Sequence, residues 1–310
     1  MKEIKIGLFG VGYFGNFHLN NLLKTRFNVI GFYDSDNHRS DIISEKFGIE
    51  KYDDPEKLIE DSDAIDITTP TTYHYSLIKN AIRRGKHVFV EKPMTFNSEE
   101  ALEIKNLVEK SKTILQVGHI ERYNPVIENL DLSGHDIINL EVNRFSTYNP
   151  RGTDVSVVFD LMIHDIDLVL YLMGNKITNI DACGYKKFGS VLEFASASIK
   201  FVNGSKATLN ASIIHPYLER KMKLWTKEKY FELDLGKKHK DIYSYKVNPD
   251  NNMNILSGKE TQEFATTNSI LDELNEFYEC ISNNTLPRVT VEDGFNSIGL
   301  AEKILEKIKV

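Results

Sequence analysis

Three glycines at fixed spacing, Gly10, Gly12 and Gly15, follow the apolar run Ile4–Phe9 and precede a stretch that reads as a helix to about Leu23. Strand, glycine turn and helix in that order suit the binding of a dinucleotide. Gly10 lets the chain turn tightly, Gly12 lets backbone approach a pyrophosphate, and Gly15 lets helix and strand pack closely. The free N–H groups at the helix start then hold the phosphates. Tyr13 and Phe14 sit inside the turn and count with the glycines as cofactor contacts. Asp34 ends a second apolar strand, Asn28–Tyr33. It lies close to the spacing of roughly 20 residues at which an acid accepts hydrogen bonds from the adenosine ribose. A carboxylate there repels a 2′-phosphate, which favours NAD over NADP, whereas Arg39 nearby would serve the phosphate. Asp34 also reads as a helix N-cap or turn residue.

Two further groups have the chemistry to handle a proton. Lys92, in Glu91-Lys92-Pro93, ends the strand His87–Val90, and Pro93 stops the ladder. Such a lysine, over the cleft where a nicotinamide would lie, can hydrogen-bond a sugar hydroxyl or the carbonyl it becomes. The plainer reading is a surface turn with Lys92 paired to Glu91. Asp160 and His164 fall one turn apart if Val157–Tyr171 is helical. Histidine exchanges protons near neutral pH, and a neighbouring carboxylate tunes it. Alternatively this is a core helix with a structurally satisfied histidine and its acids on the solvated side. His164-Asp165-x-Asp167 offers metal ligands, but no second histidine stands at short spacing, so no metal is expected.

The elements that must position these groups are legible as two patterns. To about His119 the chain alternates short apolar strands (near 4–9, 28–33, 64–68, 87–90 and 114–117) with helical stretches (40–47, 73–84 and 98–110). This predicts an α/β, doubly wound parallel sheet with ligands at the carboxyl ends of its strands. Those ends carry Gly10, Asp34, Thr69-Pro70, Glu91-Lys92-Pro93 and Gly118-His119. After residue 120 strand-like runs lengthen (137–145, 177–186, 192–201, 206–214, 221–225, 230–235), with a hairpin signal at Asn203-Gly204. This predicts an α+β domain with a large, mostly antiparallel open sheet. Helices are expected at 157–171 and 270–281. A last helix starts at Thr290, where Thr290 and Asp293 form a capping box. The expected domains are 1–119 and 120–310, the last helix packing back on the first.

With 310 residues, 41% hydrophobic, 27% charged and a net charge of −7, the chain is ordinary globular material. The acidic balance argues against a nucleic-acid surface. Lys237-Lys238-His239-Lys240 reads as a solvated loop tip. Two cysteines, Cys183 and Cys280, build neither a disulfide framework nor a C-x-x-C metal pattern. No apolar run approaches the ~20 residues of a membrane span and no signal peptide is visible, so a cytoplasmic protein is expected.

Taken in order, Gly10-x-Gly12-x-x-Gly15, Thr69-Pro70 with His74 nearby, Gly85-Lys86-His87-Val88 leading into Glu91-Lys92-Pro93, and Asp160-x-x-x-His164 resemble a known family over essentially the whole chain. It is the glucose–fructose oxidoreductase/inositol dehydrogenase/MocA-type (Gfo/Idh/MocA) family of NAD(P)-dependent oxidoreductases. The resemblance implies a Rossmann domain followed by an open sheet that mediates a homodimer or homotetramer. It implies that Lys92 and His164 lie beside the nicotinamide, and that Asp160 holds the substrate or orients the lysine. It also implies that Thr69, Pro70, His74, Glu91 and His119 line the cofactor cleft, although His74 could simply begin a helix. Many members have a glycine-rich lead into the histidine helix, where this chain has Thr153-Asp154-Val155-Ser156-Val157-Val158-Phe159. A narrower resemblance, carried by Gly118–Pro125 and Asp160–Asp167, is to the branch containing UDP-N-acetylglucosamine 3-dehydrogenases. It implies oxidation of a nucleotide-sugar 3-hydroxyl to the 3-keto sugar; for such a substrate Arg122 can pair with a diphosphate or carboxylate, and Tyr123 and Asn124 can contact sugar or base. Their plainer roles are an interdomain salt bridge, core packing and a turn before Pro125.

Overall fold

The computed structural model describes residues 3–148, 155–188, 190–247 and 254–309. Thr153 and Asp154, in the lead to the histidine helix, lie outside them. The chain divides into two compact units, Met1–Ile120 with Asn268–Ile298, and Glu121–Thr267 with Gly299–Val310. The division is therefore not a single cut near residue 120: a helical segment from the C-terminal part belongs to the first unit.

The first unit holds a parallel sheet of β1 (Lys5–Phe9), β2 (Asn28–Tyr33), β3 (Ala64–Ile67), β4 (His87–Glu91) and β5 (Leu115–Gly118), in the order β2-β1-β3-β4-β5. Its crossovers carry α1 (Tyr13–Leu22), α2 (Asn37–Phe47), α3 (Pro55–Asp61), α4 (His74–Arg83) and α5 (Ser98–Glu109). β3 and β5 are buried at every position, as strands covered on both faces must be. Helix starts use local chemistry: Asp36, Asp54 and Asn97 each accept a backbone N–H of the first turn. α1 differs, entering on Gly12 with no side-chain cap and no acid in its first turn.

In the second unit, α6 (Pro125–Glu128) leads to β6 (Asn139–Phe145). A π-helical turn, Val158–Met162, then runs into α7 (Ile163–Met173). β7 (Ile177–Tyr185), β8 (Phe194–Phe201), β9 (Lys206–Ser212), β10 (Glu219–Trp225), β11 (Lys229–Asp234), β12 (His239–Val247) and β13 (Asn254–Glu263) complete an eight-stranded sheet. Its order is β13-β12-β11-β10-β6-β9-β8-β7, antiparallel except for β6 beside β9. Alternate residues of one sheet face, among them Leu140, Val142, Met222, Leu224, Phe231 and Leu233, join Ile166, Leu168 and Val169 of α7 in one core. β12 and β13 were not among the expected strands, and the solvated loop expected at Lys237–Lys240 holds for the turn residues Lys237 and Lys238 only. His239 and Lys240 open β12, and Lys240 is buried with Nζ donating to the Asn129 carbonyl at 2.6 Å. α8 (Ser269–Asn283) packs Leu274 and Phe277 into the first unit's core. α9 (Val291–Lys307) starts with the expected capping box, the Thr290 N–H donating to Asp293 at 2.8 Å and the Asp293 N–H to Thr290 Oγ1 at 3.3 Å.

α7 presents acids inward rather than to solvent. Arg144 of β6 donates to Asp165 at 2.8–3.0 Å and to Glu121 at 2.9 Å, with all three groups buried. Burial works against the Arg144 charge, and Asp165 and Glu121 outweigh it, so its pKa is raised. Arg122 donates to Asp167 at 2.6 and 2.8 Å, and its guanidinium lies 4.0 Å from the Tyr171 ring centre.

Two predictions follow from this packing. Arg144→Met strands two buried carboxylates and should destabilise the second unit by about 3–5 kcal/mol in urea unfolding; a change below about 1 kcal/mol would contradict a paired role. A Cβ on Gly15 would lie 2.0 Å from the Gly10 carbonyl oxygen, whereas one on Gly12 meets nothing within 4 Å at φ −66°. Gly15→Ala should therefore cost about 1–3 kcal/mol or more, and Gly12→Ala should stay within about 0.5 kcal/mol in the same urea unfolding measurement.

Candidate functional site

The carboxyl edge of the parallel sheet gathers the residues that the sequence placed there. Gly10 adopts φ +89°, which only glycine takes without strain, and its N–H donates to the Tyr33 carbonyl at 2.8 Å. A Cβ there would meet the backbone of Thr68 and Thr69 at 3.0–3.1 Å. Asp34 binds back to the turn, one oxygen accepting the Val11 N–H at 2.8 Å and the other the Asp36 N–H at 2.9 Å. Arg39 reaches it at 3.4 Å. Asp34 is thus a turn-organising acid, and the cap of α2 is Asp36. Tyr13 and Phe14 stand exposed on the first turn of α1.

These residues fit a dinucleotide. The start of α1 offers N–H groups that no side chain caps, and no acid in the first turn repels an anion. The space over Gly12 is open to backbone approach.

Further along the same edge, His74 opens α4, as its plainer reading had it, but its ring does more than start a helix. Nδ1 lies 2.9 Å from the Pro93 carbonyl and Nε2 2.8 Å from the Thr69 carbonyl, so one buried imidazole sits between two strand-end loops, and a ring with a single N–H donates to one of the two carbonyls. Burial lowers its pKa against the pull of those carbonyls. Pro70 is exposed, and Thr69 is half-buried with Oγ1 unpartnered among the described residues. His119 is buried.

Lys92 is half-buried and precedes Pro93 across a cis peptide bond. Its backbone N–H donates to Glu91 Oε2 at 3.1 Å. Glu91 therefore holds the lysine by its peptide, an arrangement the surface-turn reading did not contain. The other Glu91 oxygen faces His18 Nε2 at 3.1 Å, and His18 Nδ1 faces Asp66 at 2.9 Å. Burial opposes the Glu91 charge, but His18 and Lys92 hold its pKa below the usual carboxylate range. Neither His18 nor Asp66 was among the expected site residues. The available signal was a lone acid inside the apolar run Ala64–Ile67 and a histidine three residues past the glycine turn.

In the second unit, Asp160 lies on the π-helical turn and His164 on the first turn of α7, both half-buried. Single π turns inside helices recur at functional sites because they re-aim a side chain. The three residues before Pro125 that were expected as substrate contacts are placed as follows. Arg122 is 3% exposed and committed to Asp167, a salt bridge within the second unit rather than between domains. Tyr123 is buried at 1%. Asn124 caps α6, accepting from Val126 and donating to Glu121 and to the Leu235 carbonyl. Removing a guanidinium from water demands a partner, and Asp167 meets that demand before any ligand can. Among the described residues, no helix is long and apolar enough to cross a membrane.

Comparison with known proteins agrees with both units. Residues 4–119 match the model of the oxidoreductase family with an NAD-binding Rossmann fold, and residues 139–232 match that of the GFO/IDH/MocA C-terminal domain. The chain is 30% identical over 244 residues to the UDP-N-acetylglucosamine 3-dehydrogenase of Acidithiobacillus ferrooxidans, covering 78% of each. A solved structure of that enzyme superposes with a TM-score of 0.92 at 26% identity, covering 99% of this chain and 98% of the other. The scyllo-inositol 2-dehydrogenase (NAD(+)) of Bacillus subtilis is 28% identical over 316 residues, covering 93% of this chain and 89% of that protein. With the glycine turn, the parallel sheet and the open eight-stranded sheet in place, the chain belongs to the Gfo/Idh/MocA family of NAD-binding oxidoreductases.

Proposed function

We propose that this protein is an NAD-dependent dehydrogenase that oxidises a ring hydroxyl of a sugar, with the 3-hydroxyl of a nucleotide sugar such as UDP-N-acetylglucosamine as the preferred substrate. The observation that carries the proposal is the likeness to the A. ferrooxidans enzyme, which extends over both units at a TM-score of 0.92. The glycine turn, the uncapped start of α1 and Asp34 would hold NAD, and the carboxylate of Asp34 favours it over NADP. Bound NAD supplies the hydride acceptor.

The chain's own residues handle position and the proton. Lys92 donates a hydrogen bond to the substrate oxygen and stabilises negative charge as it develops there. His164 takes the hydroxyl proton as the general base. Asp160, four residues earlier on the π turn, orients the pair. The second reading, an inositol dehydrogenase, has one specific observation in its favour. Arg122, the cation expected to meet a diphosphate, is already paired with Asp167.

Lys92→Ala and His164→Ala should each lower kcat about 10²–10⁴-fold, with NAD affinity held within about twofold by fluorescence titration. Near-normal turnover in either variant removes that residue from its role. Substrate class is read separately, by NADH absorbance with UDP-N-acetylglucosamine and with scyllo-inositol. UDP alone should compete with the nucleotide sugar. Turnover of scyllo-inositol, with no effect of UDP, would move the protein to the second reading.

A further inference from the structure

His18 is wholly buried beneath the loop that carries Lys92. Its two ring nitrogens face carboxylates from neighbouring strands, Asp66 of β3 at 2.9 Å and Glu91 of β4 at 3.1 Å. A neutral imidazole has one donor; two acceptor carboxylates call for both. The ring is also packed on Phe89, with centroids 5.6 Å apart. Gly118 of β5 leaves room for the Glu91 carboxylate, since a Cβ there would stand 2.9 Å from Oε1. From α8, Glu273 brings a third carboxyl group. One of its oxygens, His18 nitrogen and a Glu91 oxygen all lie within 4.8 Å of one another. Neither Glu273 oxygen has a hydrogen-bond partner among the described residues. Burial, then the charge of Glu91, pushes the Glu273 pKa well up. Asp66, then Glu91, raise the His18 pKa against its burial.

We propose that His18 is a positioning residue for Lys92, acting through Glu91: its ring fixes one carboxylate oxygen so that the other receives the Lys92 N–H. The proposal rests on the role given to Lys92 above. A doubly protonated imidazole between two acids allows Glu91 one rotamer. Glu91 Oε2 then fixes the peptide plane entering Lys92, and so where its side chain departs. Without His18, the buried Asp66 and the half-buried Glu91 are two unmatched charges, one takes up a proton, and the hold on the Lys92 peptide weakens.

Two amides separate the ring's two bonds. His18→Asn keeps a donor near the Nδ1 position, toward Asp66, and loses the one toward Glu91. His18→Gln keeps the donor toward Glu91. With the substrate that wild-type protein oxidises, His18→Asn should lower kcat on the order of 100-fold with NAD affinity unchanged, and His18→Gln should recover most of that loss. Equal activity of the two amides, whether both normal or both impaired, overturns the proposal. A substrate-free arm uses ¹³C-dimethylated lysines: the Lys92 signal, assigned with Lys92→Ala, should shift in His18→Asn and stay near wild type in His18→Gln. An unmoved signal overturns the proposal. If His18 variants do not fold, Glu91→Gln, which keeps shape and removes charge, should give the same kcat loss and signal shift, and normal values for both would overturn it. Lys92→Ala run in parallel separates the two levels. Active Lys92→Ala protein defeats the catalytic assignment itself, whereas inactive Lys92→Ala beside unaffected His18→Asn defeats only the positioning role.

Discussion

A charge withdrawn from water has to be met by an opposite charge at hydrogen-bonding distance, and each unit is organised by that requirement around its candidate residue. In the first unit the charges are His18, Asp66 and Glu91, gathered under the strand end that presents Lys92. In the second they are Arg122 with Asp167, and Arg144 with Asp165 and Glu121, gathered under the helix that presents His164. In each case the group suited to chemistry is half-buried, and the pairing behind it is buried but for the half-buried Glu91. Such pairs add little net stability over well-packed hydrocarbon, but they admit very few geometries. That is what a reacting group needs, since catalysis loses rate steeply with misplacement.

Topology supplies the second constraint. Parallel strands joined by right-handed crossovers bring every strand-to-helix loop to one edge. Residues far apart in sequence, Gly10, Asp34, Thr69, Lys92 and His119, therefore share an edge without any of them specifying it. The glycine turn is tight because β1 and α1 approach until a methyl group on Gly15 has no space, while Gly12 faces open room. His74 sits between the β3 and β4 loops against backbone carbonyls, so no partner side chain announces it.

Local signals were legible because their causes are local. The capping box at Thr290 and Asp293 closes within three residues, and the Asn203-Gly204 hairpin turns with Gly204 at φ +84°. Apolar runs marked the five parallel strands because both faces of that sheet are covered. β12 and β13 escaped because their residues are mixed. Lys240 is buried while Asp241 bonds Thr261 and Lys259 across the strand pair, so polarity there does not alternate with exposure. The π-helical turn at Val158–Met162 was equally hidden, since one extra residue per turn leaves no mark in an apolar helix.

The sequence by itself determined the two fold classes, the dinucleotide turn and the identity of the lysine and histidine with chemistry to offer, all from patterns spanning at most a few dozen residues. Tertiary structure decided which charged groups remain available. Arg122 looked like a phosphate ligand until Asp167, 45 residues away, took its guanidinium, and Asn124 was consumed as a helix cap. His18 and Asp66 looked like nothing in particular until β3, β4 and α1 brought them to Glu91. The reason is physical: pairing energy depends on distance in space and on exclusion of water, and neither quantity is written in the order of the residues.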